Sequence, residues 1–152
     1  MSAAIEKIRD GKKQIAIIVY SNFAKQGVHF FTSDDLSQQL AYMNHPTGKV
    51  IDAHVHNPIP RDVTYTQEVL FIKSGRLRVD FYSDTKCYLE SRVLAAGDVI
   101  LLISGGHGFE VLETVEMFET KQGPHVGDAD KTRFSTVRAD DVVIRNPEPG
   151  DE

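Results

Sequence analysis

The chain has 152 residues, a formal net charge of −5 and a single cysteine, Cys87, a length that suits one domain of roughly 100–200 residues. One cysteine excludes an intramolecular disulfide framework, and the acidic balance argues against a nucleic-acid partner, which needs a basic footprint. MSAAIEKIRDGKKQ lacks the apolar run of a secretory signal and no stretch nears the ~18 apolar residues of a bilayer span, so a soluble cytoplasmic protein with no membrane partner is expected.

Short apolar runs recur between turn signals from the N-terminus onward, the pattern of an all-β sandwich or barrel. Residues 14–20 (QIAIIVY) and 28–31 (VHFF) read as the first strands. A short helix is expected next, before Met43: Ser33 suits its N-cap, Asp34 and Asp35 its first turn, and Leu36, Leu40 and Met43 follow helical spacing. The run NHPTG at 44–48 then ends it with proline and glycine.

From Val50 the period changes to two. Residues 50–56, 67–73, 76–82, 86–94, 98–103, 107–112 and 115–121 read as strands, with Leu77, Val79 and Phe81 on one face and Arg76, Arg78, Asp80 and Tyr82 on the other. Residues 57–66 form a loop with two prolines, and 123–133 (GPHVGDADKTR) form a polar connection. A last short strand is expected near 141–144, and the tail NPEPGDE reads as disordered. The expected organisation is one domain: N-terminal strands and helix over 1–49 packing on a barrel over 50–144, then a tail at 145–152. A closed or double-sheet barrel is the economical architecture, because it protects strand edges and leaves an interior pocket.

Four residues in this scheme carry metal chemistry. Strand alternation sends His54 and His56 to one face and Val55 to the other. Glu68 shares a face with Leu70 and Ile72, and His107 shares one with Phe109 and Val111. Three imidazoles and one carboxylate suit a divalent transition metal (Fe, Mn, Ni or Zn) better than Ca²⁺ or Mg²⁺. A His-x-His pair alone is a weak signal, since structural and surface histidines are common; Glu68 and His107 at compatible strand positions strengthen it.

The spacing of these residues resembles the cupin family. Gly48, five residues, His54-x-His56, then Glu68, six residues and Gly75 match its first motif, except that eleven residues rather than a short gap precede the glutamate. The second motif is degenerate: Gly97, Asp98, Gly105 and His107 follow it, but Ile103 stands where proline is usual, His107 comes one position early and Val111 replaces an asparagine. The resemblance implies a double-stranded β-helix (jelly-roll barrel), often a homodimer, with His54, His56, Glu68 and His107 as ligands and open positions for water, substrate or oxygen.

Around that expected centre, the 57–66 loop should overhang the barrel mouth and offer Arg61 and Tyr65 to a small-molecule ligand, although a solvated Arg61 paired with Asp62 is an equal alternative. Phe109 is a candidate apolar wall; Lys121, with Gln122, His125, Lys131 and Arg133, is a candidate polar one. No side chain announces itself as a general base; Tyr65 and His125 are catalytic candidates by location only. The functions left open are a metal-dependent oxygenase or a sugar or keto-acid isomerase or epimerase, and, as the alternative class, a non-catalytic module that binds a small ligand or a metal.

Overall fold

The computed structural model describes residues 3–145. Its regular structure is almost wholly β: β1 (Ile5–Asp10), β2 (Lys13–Val19), β3 (Gly27–Phe30), β4 (Ala41–Asn44), β5 (Glu68–Tyr82), β6 (Tyr88–Ala95), β7 (Val99–Leu102) and β8 (Gly106–Lys121), followed by short 3-10 helices at Gly127–Asp130 and Ala139–Asp141. The expected tail falls outside the described residues, apart from Arg145. The chain divides into two compact units, Met1–Phe23 with Thr66–Glu152, and Ala24–Tyr65.

The larger unit is a curled antiparallel sheet, half of a barrel, in the order β1-β2-β7-β5-β6, with β8 on the free side of β5. β5 organises it. One edge of β5 carries β7 along Glu68–Phe71 and β6 along Arg76–Tyr82, while the other edge pairs with β8 from Glu68↔Lys121 to Tyr82↔Gly106. The two expected strands at 67–73 and 76–82 are thus one strand, and so are those at 107–112 and 115–121. Between Ile72 and Leu77 the β5–β8 register slips repeatedly, and the inward set changes from Leu70 and Ile72 to Leu77, Val79 and Phe81, all in the buried core. A bulge inserts a residue without ending the pairing, so the side-chain alternation inverts while the strand bends. Gly75 makes this possible: its φ is +86°, and a Cβ there would lie 2.0 Å from the Thr114 carbonyl oxygen.

The concave face holds Ile8 of β1, Ala16 and Ile18 of β2, Ile100 and Leu102 of β7 and Leu94 of β6 against the β5 set. β1 was not expected from the sequence; its alternation of Glu6 and Ile8 inward is too short and too polar to stand out. Arg92 lies opposite Val79 and so also faces inward. It reaches Glu6 of β1, with Nε–Oε1 at 2.8 Å, and the Tyr20 hydroxyl donates to the other Glu6 oxygen at 2.8 Å. Burial, then the hydrogen bond to Glu6, pushes the Tyr20 phenol far above its ordinary range. The convex face is covered at one end by the C-terminal segment. Tyr82 Oη accepts from the Val137 N–H at 3.0 Å and its ring meets Phe134, while Tyr88 Oη accepts from Val143 N–H at 2.9 Å. In place of the strand expected near 141–144 there is a 3-10 turn and a single bridge, Ile144 to Ser91.

In the smaller unit, β3 and β4 form a two-stranded hairpin, Gly27↔Asn44 to Phe30↔Ala41. The helix expected between Ser33 and Met43 is absent. The Gln39 side chain donates to the carbonyls of Ser33 and Leu36, each at 2.9 Å, and accepts from Thr32 Oγ1 at 2.6 Å. These bonds occupy carbonyls a helix would use and hold a compact turn instead. Phe31 N–H then bonds the Leu40 carbonyl and closes the hairpin. The strand expected at 50–56 is also absent: residues 49–67 have no regular secondary structure, and 49–66 are exposed. Alternation alone does not make a strand when no neighbour supplies its ladder.

Candidate functional site on the concave face

The β5–β8 pairing fixes which side chains share the concave face. Glu68 precedes Leu70 and Ile72 on the inward side of β5, and its direct partner on β8 is Lys121; at the far end, His107 is the partner of Phe81 and Phe109 of Val79. Directly opposed residues of an antiparallel pair lie on the same face. Glu68, Lys121, His107 and Phe109 therefore all line the hollow side of the half-barrel.

Glu68 and Phe81 are thirteen residues apart on one strand, a distance of roughly 40 Å if it were straight. Yet His107, across from Phe81, places Nε2 3.3 Å from Glu68 Oε2. Two features close that gap. β5 curls at its bulge, and the 103–105 connection carries the chain from Leu102, the β7 partner of Glu68, directly to the start of β8. The connection is tight because Gly105 sits at φ +70° with its α-carbon against the neighbouring strand: a Cβ would lie 2.4 Å from the Tyr82 carbonyl oxygen and 3.0 Å from Ile15 Cδ1.

The Glu68 carboxyl is held below the usual range. The His107 hydrogen bond is the main cause; partial burial opposes it, and the positive charges of His107, Lys121 and Lys131 add to it. The Glu68 side chain is 11 % exposed and that of His107 31 %, so the pair is shielded but reachable. The His107 ring lies 5.4 Å from that of Phe109, tilted by 40°. Lys121 Nζ stands 3.5 Å from Glu119 Oε1, which leaves donors free. Phe109 and Val111 continue the apolar lining but stay open, at 39 % and 56 % exposure. The Thr66 hydroxyl donates to Asp130 at 3.1 Å and Gln67 N–H to Gln122 Oε1 at 2.6 Å, which anchors the strand entry just before Glu68.

The other two expected ligands lie in the smaller unit, on an irregular segment rather than a strand. The rings of His54 and His56 are 5.3 Å apart, edge to face at 77°. His54 Nδ1 is 2.9 Å from the Asp52 carbonyl oxygen. A carbonyl only accepts, so Nδ1 donates; in a neutral ring that is the tautomer which presents the Nε2 lone pair to a metal. Arg61 donates to its near neighbour, the Ile59 carbonyl, at 3.4 Å, and Tyr65 is 79 % exposed. His125 is exposed in the polar connection after β8.

The residues thus gather as two pairs, Glu68 with His107 and His54 with His56. Among the described residues no group of three or more His, Cys, Asp or Glu side chains is arranged to hold a metal ion. Glu68 and His107 fit a shared ion: two donors at roughly 2.1 Å from a metal and at right angles to each other would be about 3.0 Å apart, close to the 3.3 Å observed. Glu119 was not expected at this face. Its sequence signal was its two-residue spacing from Lys121 within the strand expected at 115–121, which places both side chains on one face. No helix among the described residues is long and apolar enough to cross a membrane. Compared with protein-family models, with curated proteins and with solved structures, the chain finds no match.

Proposed function

We propose that the chain is a cupin metalloprotein, in which His54, His56, Glu68 and His107 hold one divalent transition metal and a small polar or anionic molecule binds beside it in the cytoplasm. The observation that carries this reading is the Glu68–His107 pair, 3.3 Å apart on a concave face, with its carboxyl kept ionised. His54, whose Nδ1 donates to the Asp52 carbonyl so that Nε2 is the nitrogen available to a metal in the neutral ring, supports the other half of the donor set. When bound, such an ion would supply Lewis acidity or, as iron, oxygen chemistry. The protein's own part is positioning: Lys121 brings positive charge for an anionic group, Phe109 and Val111 give an apolar wall, and Arg61 is the candidate second grip.

Whether the site catalyses is a separate question, and the exposure of Tyr65 and His125 favours a non-catalytic binding module as the second reading.

Elemental analysis of anaerobically purified protein should find close to one metal per chain, with loss of metal in Glu68→Gln and His107→Ala variants that keep the wild-type circular dichroism. A metal-free protein whose melting temperature does not move on adding Fe²⁺, Mn²⁺, Ni²⁺ or Zn²⁺ would refute the reading, since a ligand of the native state must stabilise it. Metal with substrate-dependent oxygen uptake would identify an oxygenase, anaerobic turnover an isomerase or epimerase, and ligand-induced stabilisation without turnover the binding module.

A further inference from the structure

We propose that the segment from Asp130 to Phe134 is a tie that sets the separation of Glu68 and His107, with Phe134 as a positioning residue for the imidazole. The inference rests on the reading of Glu68 and His107 as one site. The tie is fastened beside each member of the pair. At one end the hydroxyl of Thr66, two residues before Glu68, donates to Asp130 Oδ2 at 3.1 Å. At the other end the Phe134 ring covers Gly106, the residue before His107: a Cβ on Gly106 would lie 2.8 Å from Phe134 Cζ and 3.3 Å from Cε1. Unlike Gly105, Gly106 does not need glycine for a left-handed backbone; the Phe134 ring and Tyr82 Cβ, the latter at 3.2 Å, leave no room for a side chain. The backbone leading into His107 is thereby gripped at two successive residues. Asp130 and Phe134 are four residue steps apart, a reach of roughly 14 Å at most, so the two attachment points cannot drift further apart than that.

Phe134 is itself held by the sheet. Its ring meets Tyr82 edge to face, with centroids 4.9 Å apart at 84°. Beyond it the chain stays fastened: Val137 N–H donates to Tyr82 Oη at 3.0 Å and Val143 N–H to Tyr88 Oη at 2.9 Å. Ser91 of β6 then donates its N–H to the Val143 carbonyl at 2.8 Å and accepts from Arg145 N–H at 3.1 Å. The ring is thus the first anchor of a seated segment, so it can press on Gly106. The pair it serves has no slack. Hydrogen bonds from nitrogen to oxygen extend to about 3.2 Å, and His107 Nε2 already stands 3.3 Å from Glu68 Oε2. A retreat of the imidazole by about half an ångström loses the contact. His107 is the second residue of β8, and the ends of elements open at little cost. An added restraint is therefore needed at this place, and Phe134 supplies it.

The test reads the His107 ring by nuclear magnetic resonance in the full chain, metal-free and carrying isotope-labelled histidine, with its resonances identified by their loss in His107→Ala. Phe134→Ala should shift them toward those of a solvated imidazole while keeping the wild-type circular dichroism. Phe134→Leu, which retains an apolar side chain over Gly106, should stay close to wild type. Thr66→Val, which removes the hydroxyl that holds Asp130, should shift them in the same direction as Phe134→Ala. Zn²⁺ affinity, read by competition with a chelator, should fall about tenfold in Phe134→Ala. His107 resonances that keep their place in folded Phe134→Ala overturn the proposal even if its melting temperature falls, because the ring is then packing alone. Should Phe134→Ala not fold, Thr66→Val decides by the same resonances. A wild-type chain that binds no Zn²⁺ would remove the metal reading and not the tie, since the ring resonances are read without metal.

Discussion

Replacing Gly105 by alanine tests how the concave site is assembled, because this residue delivers the chain from β7 to His107. Two separable costs arise. The left-handed backbone, φ +70°, costs an L-residue roughly 1–2 kcal/mol. The new Cβ would also lie 2.4 Å from the Tyr82 carbonyl oxygen and 3.0 Å from Ile15 Cδ1. Neither neighbour retreats cheaply, since one is strand backbone and the other a core side chain, so overpacking adds about 1–3 kcal/mol. Gly11 isolates the first cost: its φ is +58° and nothing lies within 4 Å of an added Cβ. Gly11→Ala should therefore lose roughly 1–2 kcal/mol and Gly105→Ala about 2–5 kcal/mol. At roughly 2–4 °C per kcal/mol for a chain this long, the two melting temperatures, read by far-ultraviolet circular dichroism, should differ by several degrees. Equal losses in the two variants would refute the close approach of β8 to Tyr82, and with it the placement of His107.

Further expectations concern the buried network beneath the site. Arg92→Met leaves Glu6 buried and uncompensated and should cost about 3–5 kcal/mol, whereas Arg92→Met with Glu6→Leu should recover most of that loss; urea midpoints that showed the double variant no better than the single would contradict the pairing. Tyr20 has its pKa raised above the ordinary 10 in the folded chain by burial and by Glu6, so its contribution is complete below about pH 10 and is lost as pH rises beyond it. Tyr20→Phe should remove that part of the alkaline decline, up to about 1.4 kcal/mol per pH unit, and superimposable stability–pH curves above pH 10 would count against a protonated Tyr20 in the core.

The sequence by itself determined the all-β class, most of the strand segments of the larger unit and the inward set Leu77, Val79 and Phe81, because alternation is written locally in residues i, i+2 and i+4; that 67–73 with 76–82, and 107–112 with 115–121, each form one strand was not written there. It also singled out Glu68 and His107 by residue type and position. What it did not determine depends on partners far along the chain. Whether residues 34–43 form a helix was decided by Gln39 taking the carbonyls of Ser33 and Leu36, and whether 50–56 form a strand by the presence of a neighbour. The inward turn of Arg92 rests on Glu6, 86 residues away. Only the tertiary structure brought His107 to Glu68, through a curl in β5 that depends on the slipped register around Gly75. Periodicity records which face a side chain takes; it carries no information about which strand lies alongside, and it is the neighbouring strand that turns an alternating segment into a wall of a site.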